Sequence, residues 1–167
     1  MNPAKGSTSL QIRPIEDSDN NAVADIIRLV MTEFKAVGGG YSITDSEIDD
    51  MYTAYAAEGS AFYVVELAGR VLGCGGFGPL TGGGPDTCEL RKMYFMSELR
   101  GMGVGTMLLN LCLEEATREG FRLCYLETMD GMEQARRLYG KHGFKYLDRP
   151  MGETGHTSCG TWMAREL

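Results

Sequence analysis

The segment Arg100-Gly101-Met102-Gly103-Val104-Gly105 lies between a strand-like run and a strongly helical one. A glycine-rich bend entering a helix presents bare backbone N–H groups where the helix dipole favours negative charge, so it can cradle a phosphate or pyrophosphate. It is not a P-loop, because Val104-Gly105-Thr106 lacks the lysine of Gly-Lys-Ser/Thr. It is not a dinucleotide fingerprint either. Counted from Gly103, that pattern needs glycine or alanine where Leu108 stands, and it usually opens a repeated strand–helix array. Read without its flanks, the loop is also compatible with a structural turn before a helix.

The elements that must hold this bend follow from periodicity. Leu10-Gln11-Ile12-Arg13 alternates up to Pro14 and predicts a first strand. Val23, Ile26, Ile27, Val30 and Phe34 recur at helical spacing and predict a helix to about Ala36, stopped by Gly38-Gly39-Gly40. Thr44 and Glu47 suggest a capping box for a second helix with Ile48, Met51, Tyr52 and Tyr55 on one face, which makes core packing the default for Tyr52 and Tyr55. Strands are predicted at 61–66 and 71–77, joined by a tight turn at Ala68-Gly69, and at 87–96, which feeds the bend. A helix carrying Val104, Met107, Leu108, Leu111 and Cys112 ends at Gly120, and a central strand covers 123–128. Ala135, Leu138, Tyr139 and His142 mark a last helix, closed by Gly143, before two final strands at 144–147 and 161–165. The order predicts one mixed domain over residues 1–167, largely antiparallel in its first half, with a parallel crossover around the helix that follows the bend.

The bulk properties narrow the function. The chain has 167 residues, 43% apolar and 23% charged, an ordinary globular composition. A net charge of −7 argues against nucleic acid as the main partner, since phosphate-backbone binding needs clustered lysine and arginine. The stretch Met1 to Gln11 has no basic segment followed by an apolar one, and no apolar run reaches the length of a membrane span, so a cytoplasmic protein without a membrane partner is expected. Cys74, Cys88, Cys112, Cys124 and Cys159 are odd in number and contain no C-x-x-C pair, which favours reduced thiols over a disulfide framework or zinc site. With His142 and His156 as the only histidines, no metal is expected.

Arg100 to Gly105 also matches the pattern R/Q-x-x-G-x-G/A, and here the chain resembles the GNAT superfamily of acyl-CoA-dependent N-acetyltransferases. Glu89-Leu90-Arg91-Lys92-Met93-Tyr94-Phe95 is similar to the family's fourth strand, and Ala135 to Phe144 is similar to its A-x-x-L-Y-x-x-x-G-F signature. The correspondence is strong from about Cys88 to Tyr146, the cofactor-binding core, and weak before it. The resemblance implies an α/β (α+β) fold with a mixed, mostly antiparallel central sheet of about seven strands flanked by about four helices. It implies acetyl-CoA as cosubstrate and direct transfer of its acetyl group to a primary amine, in a ternary complex, with a small-molecule amine as acceptor. Acetylation of a protein lysine or N-terminal amine, or a non-catalytic acyl-CoA-binding module, are the alternatives. Pairing into a homodimer is common in the family.

By resemblance, the backbone of Gly101, Met102, Gly103, Val104, Gly105 and Thr106 contacts the pyrophosphate, with Arg100 adding positive charge. The main chain of Met93 and Phe95 pairs with the pantetheine amides as an added strand would, and an N–H near Met93 or Tyr94 holds the oxyanion. Glu89 matches the position of a carboxylate base; at an ordinary pKa of about 4.3 it would need a raised value or a water relay, and a salt-bridged glutamate is the other reading. Tyr139 matches the tyrosine that donates to the departing thiolate, with a core aromatic as the other reading. Met132 stands three residues before Ala135, where many members carry a cofactor-contacting asparagine; a thioether cannot donate, so Asp130 or a backbone group would have to replace it. His156 reads as a solvent-exposed loop residue that could border the acceptor pocket, Tyr41 lies in the region that shapes the acceptor side, and Trp162 reads as sheet packing.

Overall fold

The second strand shows how the sequence builds a two-faced sheet. Phe62 and Val64 point to one face and Tyr63 and Val65 to the other, all buried, because successive side chains of a strand alternate. The computed structural model describes residues 9–167 and contains β1 (Leu10–Pro14), α1 (Asn20–Glu33), α2 (Met51–Ala54), β2 (Ala61–Leu67), β3 (Arg70–Pro79), β4 (Thr87–Phe95), α3 (Val104–Arg118), β5 (Leu123–Met129), α4 (Glu133–Lys141), β6 (Lys145–Tyr146) and β7 (Gly160–Glu166). Most of the N-terminal stretch read above for a leader lies outside the described residues.

The seven strands form one sheet in the order β1-β2-β3-β4-β5-β7-β6. Every neighbouring pair is antiparallel except β4 and β5, which α3 connects as a parallel crossover. On one face, Val23, Ile27 and Val30 of α1 pack with Ile48, Met51, Phe62, Val64 and Cys74. On the other, Leu108, Leu109 and Cys112 of α3 and Tyr139 of α4 pack with Phe77, Leu90 and Leu126. The β2–β3 turn has positive φ at both Ala68 and Gly69, the geometry that matches the twist of a two-residue hairpin. All five cysteines are free thiols, and four are buried.

The region after α1 departs from the periodic reading. Helix α1 ends at Glu33, short of Ala36, because Lys35 turns left-handed and the Ala36 N–H reaches back to the Met31 carbonyl at 2.8 Å. The second helix is mostly two short 3-10 segments, Ser42–Thr44 and Ser46–Asp50, with α-geometry only from Met51. Its capping box does not form. The Thr44 hydroxyl bonds the Tyr41 carbonyl, Glu47 is drawn to Lys92, and Asp50 is the residue that caps, accepting from the Thr53 N–H at 3.2 Å. Tyr55 is buried as expected, but Tyr52 is exposed, since a 3-10 start rotates the following face.

Candidate active site

Strand β4 and strand β5 run together only from Thr87 to Glu89, paired with Leu123 to Tyr125. Beyond that, β4 stays on β3 and β5 stays on β7, so a wedge opens between them. A bulge in β4 sharpens the parting. Its register with β3 shifts between Cys74 and Gly76, and Lys92 takes a φ of 55°, a left-handed conformation inside a strand. An uncommon backbone state at a residue with a fully formed side chain is the kind of strain that surrounding contacts must hold in place.

The wedge opens into a cavity of about 590 Å³ lined by Met93, Tyr94 and Phe95 of β4, by Arg100, Gly101 and Gly103 to Thr106 of the bend and the start of α3, and by Met132 just before α4 with Ala135, Leu138 and Tyr139 of that helix. The bend meets what a diphosphate requires. Gly103 is the N-cap of α3 and makes no side-chain cap, so the N–H groups that begin the helix have no competing partner within it. Gly101 and Gly103 have φ of 80° and 76°, and a Cβ at either would meet no atom within 4 Å; left-handed backbone, with open space in front of it, is what glycine provides there. Gly105 serves a different end, because a Cβ there would lie 3.1 Å from the Leu138 side chain, which would have to give way by a few tenths of an ångström.

Other residues of the bend are placed less directly. Met102 faces solvent and does not line the cavity. The Arg100 guanidinium is held by the Glu33 carboxylate, with one contact at 2.8 Å, and donates to the Phe95 carbonyl at 3.1 Å. The Thr128 hydroxyl points at the Met132 sulfur at 3.6 Å, and one oxygen of the Asp130 carboxylate accepts from the Thr161 hydroxyl.

A much smaller pocket of about 60 Å³ occupies the apex of the wedge and shares Met93, Tyr94, Met132, Ala135 and Tyr139 with the large one. Tyr139 therefore belongs to both. Its ring packs edge-on to Phe144, its hydroxyl lies 3.9 Å from the Met93 sulfur, and burial raises its pKa well above the usual phenol value, which keeps the proton on oxygen. Glu89 lines the same apex. Its carboxylate is buried, stands 3.6 Å from Arg91 Nε, and accepts no hydrogen bond from the described residues. Burial raises its pKa, and Arg91 opposes the shift without cancelling it.

Several residues of the apex carry no sequence motif. His156 is almost enclosed. Its Nε2 lies 3.0 Å from the Asp45 carboxylate and its Nδ1 3.5 Å from Glu127, and these bonds outweigh burial and raise its pKa to about 9. The solvent-exposed reading of this histidine is thus corrected: two carboxylates from distant segments converge on it. Glu127 also accepts from the hydroxyls of Tyr125 at 2.7 Å and Thr154 at 2.9 Å. The buried Lys92 ammonium contacts Asp45 and lies 3.2 Å from Glu47. Burial pushes Asp45 upward, but His156 and Lys92 leave its pKa below the ordinary range. The Cys159 thiol lines the apex, raised to about 12 by burial and hence unreactive as a thiolate. One signal for this cluster was present: polar and apolar residues alternate from Thr87 to Arg91, and the adjacent Lys92 breaks that alternation, which a bulge resolves.

Comparison with known proteins places the arrangement. Residues 23–144 match the Acetyltransferase (GNAT) family model. The chain is 41% identical over 157 residues to the uncharacterised N-acetyltransferase YjgM of Escherichia coli, covering 93% of this chain and 94% of that one. It is 31% identical to an IAA acetyltransferase of Azospirillum brasilense, covering 85% and 90% of the two chains. Among solved structures, an acetyltransferase of the GNAT family from Staphylococcus aureus superposes with a TM-score of 0.81 at 17% identity, covering 95% of this chain and 99% of that one. The yncA structure from Salmonella typhimurium, which holds its cofactor acetyl-CoA, superposes with a TM-score of 0.74 at 22% identity, covering 95% and 94%. The chain therefore belongs to the GNAT family of acetyltransferases.

Proposed function

We propose that this acetyltransferase moves the acetyl group of acetyl-CoA directly to a primary amine of a small molecule, with both substrates bound at once. The observation that carries the reading is the meeting of two cavities at Tyr139: a long cleft from the uncapped start of α3, and an apex pocket walled by Glu89. The cosubstrate supplies an activated acyl thioester. The amides of Gly103 to Thr106 would receive its diphosphate, and the main chain beside the wedge at Met93 and Phe95 would receive its amide-bearing arm.

An amine arrives protonated and must lose a proton before it attacks. Glu89, with a raised pKa, is a better match to an ammonium than an ordinary carboxylate and is the base in this account. As the C–N bond forms and the C–S bond breaks, the Tyr139 hydroxyl gives its proton to the departing sulfur, and the second proton that the nitrogen sheds on becoming an amide restores Tyr139. A backbone N–H at Met93 or Tyr94 is the donor closest in sequence to the bulge for the transient oxyanion. Cys159 is kept as a neutral thiol, which favours direct transfer over an acyl-cysteine intermediate.

The test is release of free CoA from acetyl-CoA across amines, polyamines, aminoglycosides, amino acids and peptides. Turnover with one small amine, and none without an acceptor, is the expected result. Turnover confined to peptides would replace the small-molecule reading, and CoA binding without release would leave a binding module.

A further inference from the structure

The wall shared by the apex pocket and a neighbouring polar cavity of about 220 Å³ carries a charge pattern that discriminates among amines. Four carboxylates, Asp45, Glu47, Glu89 and Glu127, face three cations, Arg91, Lys92 and His156. Each cation is already committed. Lys92 is held by Asp45 and Glu47, His156 by Asp45 and Glu127, and Arg91 donates to the Pro79 carbonyl at 2.6 Å, stands beside Glu89 and lies over the Tyr55 ring.

Accessibility separates the two signs at the rim of the polar cavity, where Asp45 and Glu47 stand, although Glu127 in the apex is only 4% exposed. The Lys92 side chain is 1% exposed, His156 14% and Arg91 19%, whereas Asp45 and Glu47 expose 24% and 29%. Glu89, 5% exposed and without a hydrogen-bond donor among the described residues, lines both cavities. A ligand entering through the polar cavity meets the Asp45 and Glu47 carboxylates at its rim, and Glu89, whose cation neighbour is Arg91 Nε at 3.6 Å, accepts no hydrogen bond from the described residues. An incoming ammonium supplies that donor. A ligand carboxylate would find Lys92 and His156 each paired with two carboxylates and Arg91 beside Glu89, and would lie against Asp45 and Glu47, a like-charge approach that costs at least tenfold in affinity even at the higher effective dielectric of a surface site.

We infer that the acceptor is an amine bearing no anionic group, so that the site takes amines and rejects the corresponding α-amino acids. The inference rests on the acetyl-transfer reading for its chemistry, but the charge selection is a property of binding. Calorimetric titration of the full chain saturated with CoA tests it, using pairs that differ only by a carboxylate: 2-phenylethylamine against phenylalanine, and cadaverine against lysine. At least one amine should bind ten or more times tighter than its amino acid, and Glu47→Gln should narrow that ratio roughly threefold. An amino acid binding as tightly as its amine, or no binding by any amine up to about 10 mM, overturns the inference. The wild-type ratio stands whether or not the variant folds. Selective amine binding with no release of CoA from acetyl-CoA would instead leave the charge selection standing and remove the acetyl-transfer reading.

Discussion

Tyr139 and Glu89 both line one small apex, and in the proposed mechanism their protonation states divide the work between them. Burial keeps Tyr139 protonated and so fit to donate; burial raises Glu89 and so makes it fit to accept. Tyr139→Phe should lower kcat by roughly a hundredfold, within the usual range for losing an acid–base group, and leave acetyl-CoA affinity nearly unchanged. Steady-state kinetics with a binding titration checks this, and unaltered turnover would remove Tyr139 from the mechanism. As the proposed base, Glu89 predicts a pH dependence of fixed sign. A base must be ionised, its folded pKa is raised, and so kcat/KM should climb with pH through a midpoint above the ordinary carboxylate range. Glu89→Gln should abolish that limb of the profile. Glu89 and Tyr139 could be singled out from motif position, but His156 could not. Its partners Asp45 and Glu127 are 111 and 29 positions away in the chain, and no spacing rule links a loop histidine to groups that only the fold brings near.

At the scale of elements, two devices position the site: the uncapped start of α3 and the parting of β4 from β5. Gly103→Val forces a β-branched side chain into a left-handed backbone, a strain of about 1–3 kcal/mol, and sets it where the diphosphate would lie. Acetyl-CoA affinity should fall by at least tenfold while circular dichroism shows the fold retained; wild-type affinity would contradict the cradle. The loops over the apex are tied by His156, which joins the segment after α1 to β5 and to the loop before β7. Its folded pKa of about 9 lies above the unfolded value, so its contribution to stability is complete below about pH 6.5 and is lost as pH rises through 9. His156→Gln should cost roughly 1.5–3 kcal/mol at neutral pH and flatten the alkaline fall in stability, measured by urea unfolding from pH 6 to 10. Helices α3 and α4 were legible because their apolar residues recur at helical spacing, and strands β2 to β5 because they are short apolar-rich runs bounded by turn residues, with the bulge at Lys92 as the irregularity in β4. The segment from Ser42 to Ala54 was not, because Asp45 and Glu47 answer to Lys92 across the sheet rather than to their own helix.

Over the whole molecule, one sheet with a core on each face joins the α3–α4 side to the α1–α2 side, and the proposed transfer point sits where the sheet splits between β4 and β5. The family could be read from the chain because its two motifs flank α3 and β5 in order; acceptor recognition could not, since it draws on the loops least governed by periodicity. The net charge of −7 carries little information about the acceptor taken as a sum, yet the local arrangement around Glu89 does. Both substrates must be present together if the cleft and the apex act as one site. The most direct measurement is the initial rate of CoA release with acetyl-CoA and a small amine varied against each other. Double-reciprocal lines that converge are the predicted result; parallel lines, the signature of a covalent acyl-enzyme, or no release with any small amine, would contradict the account.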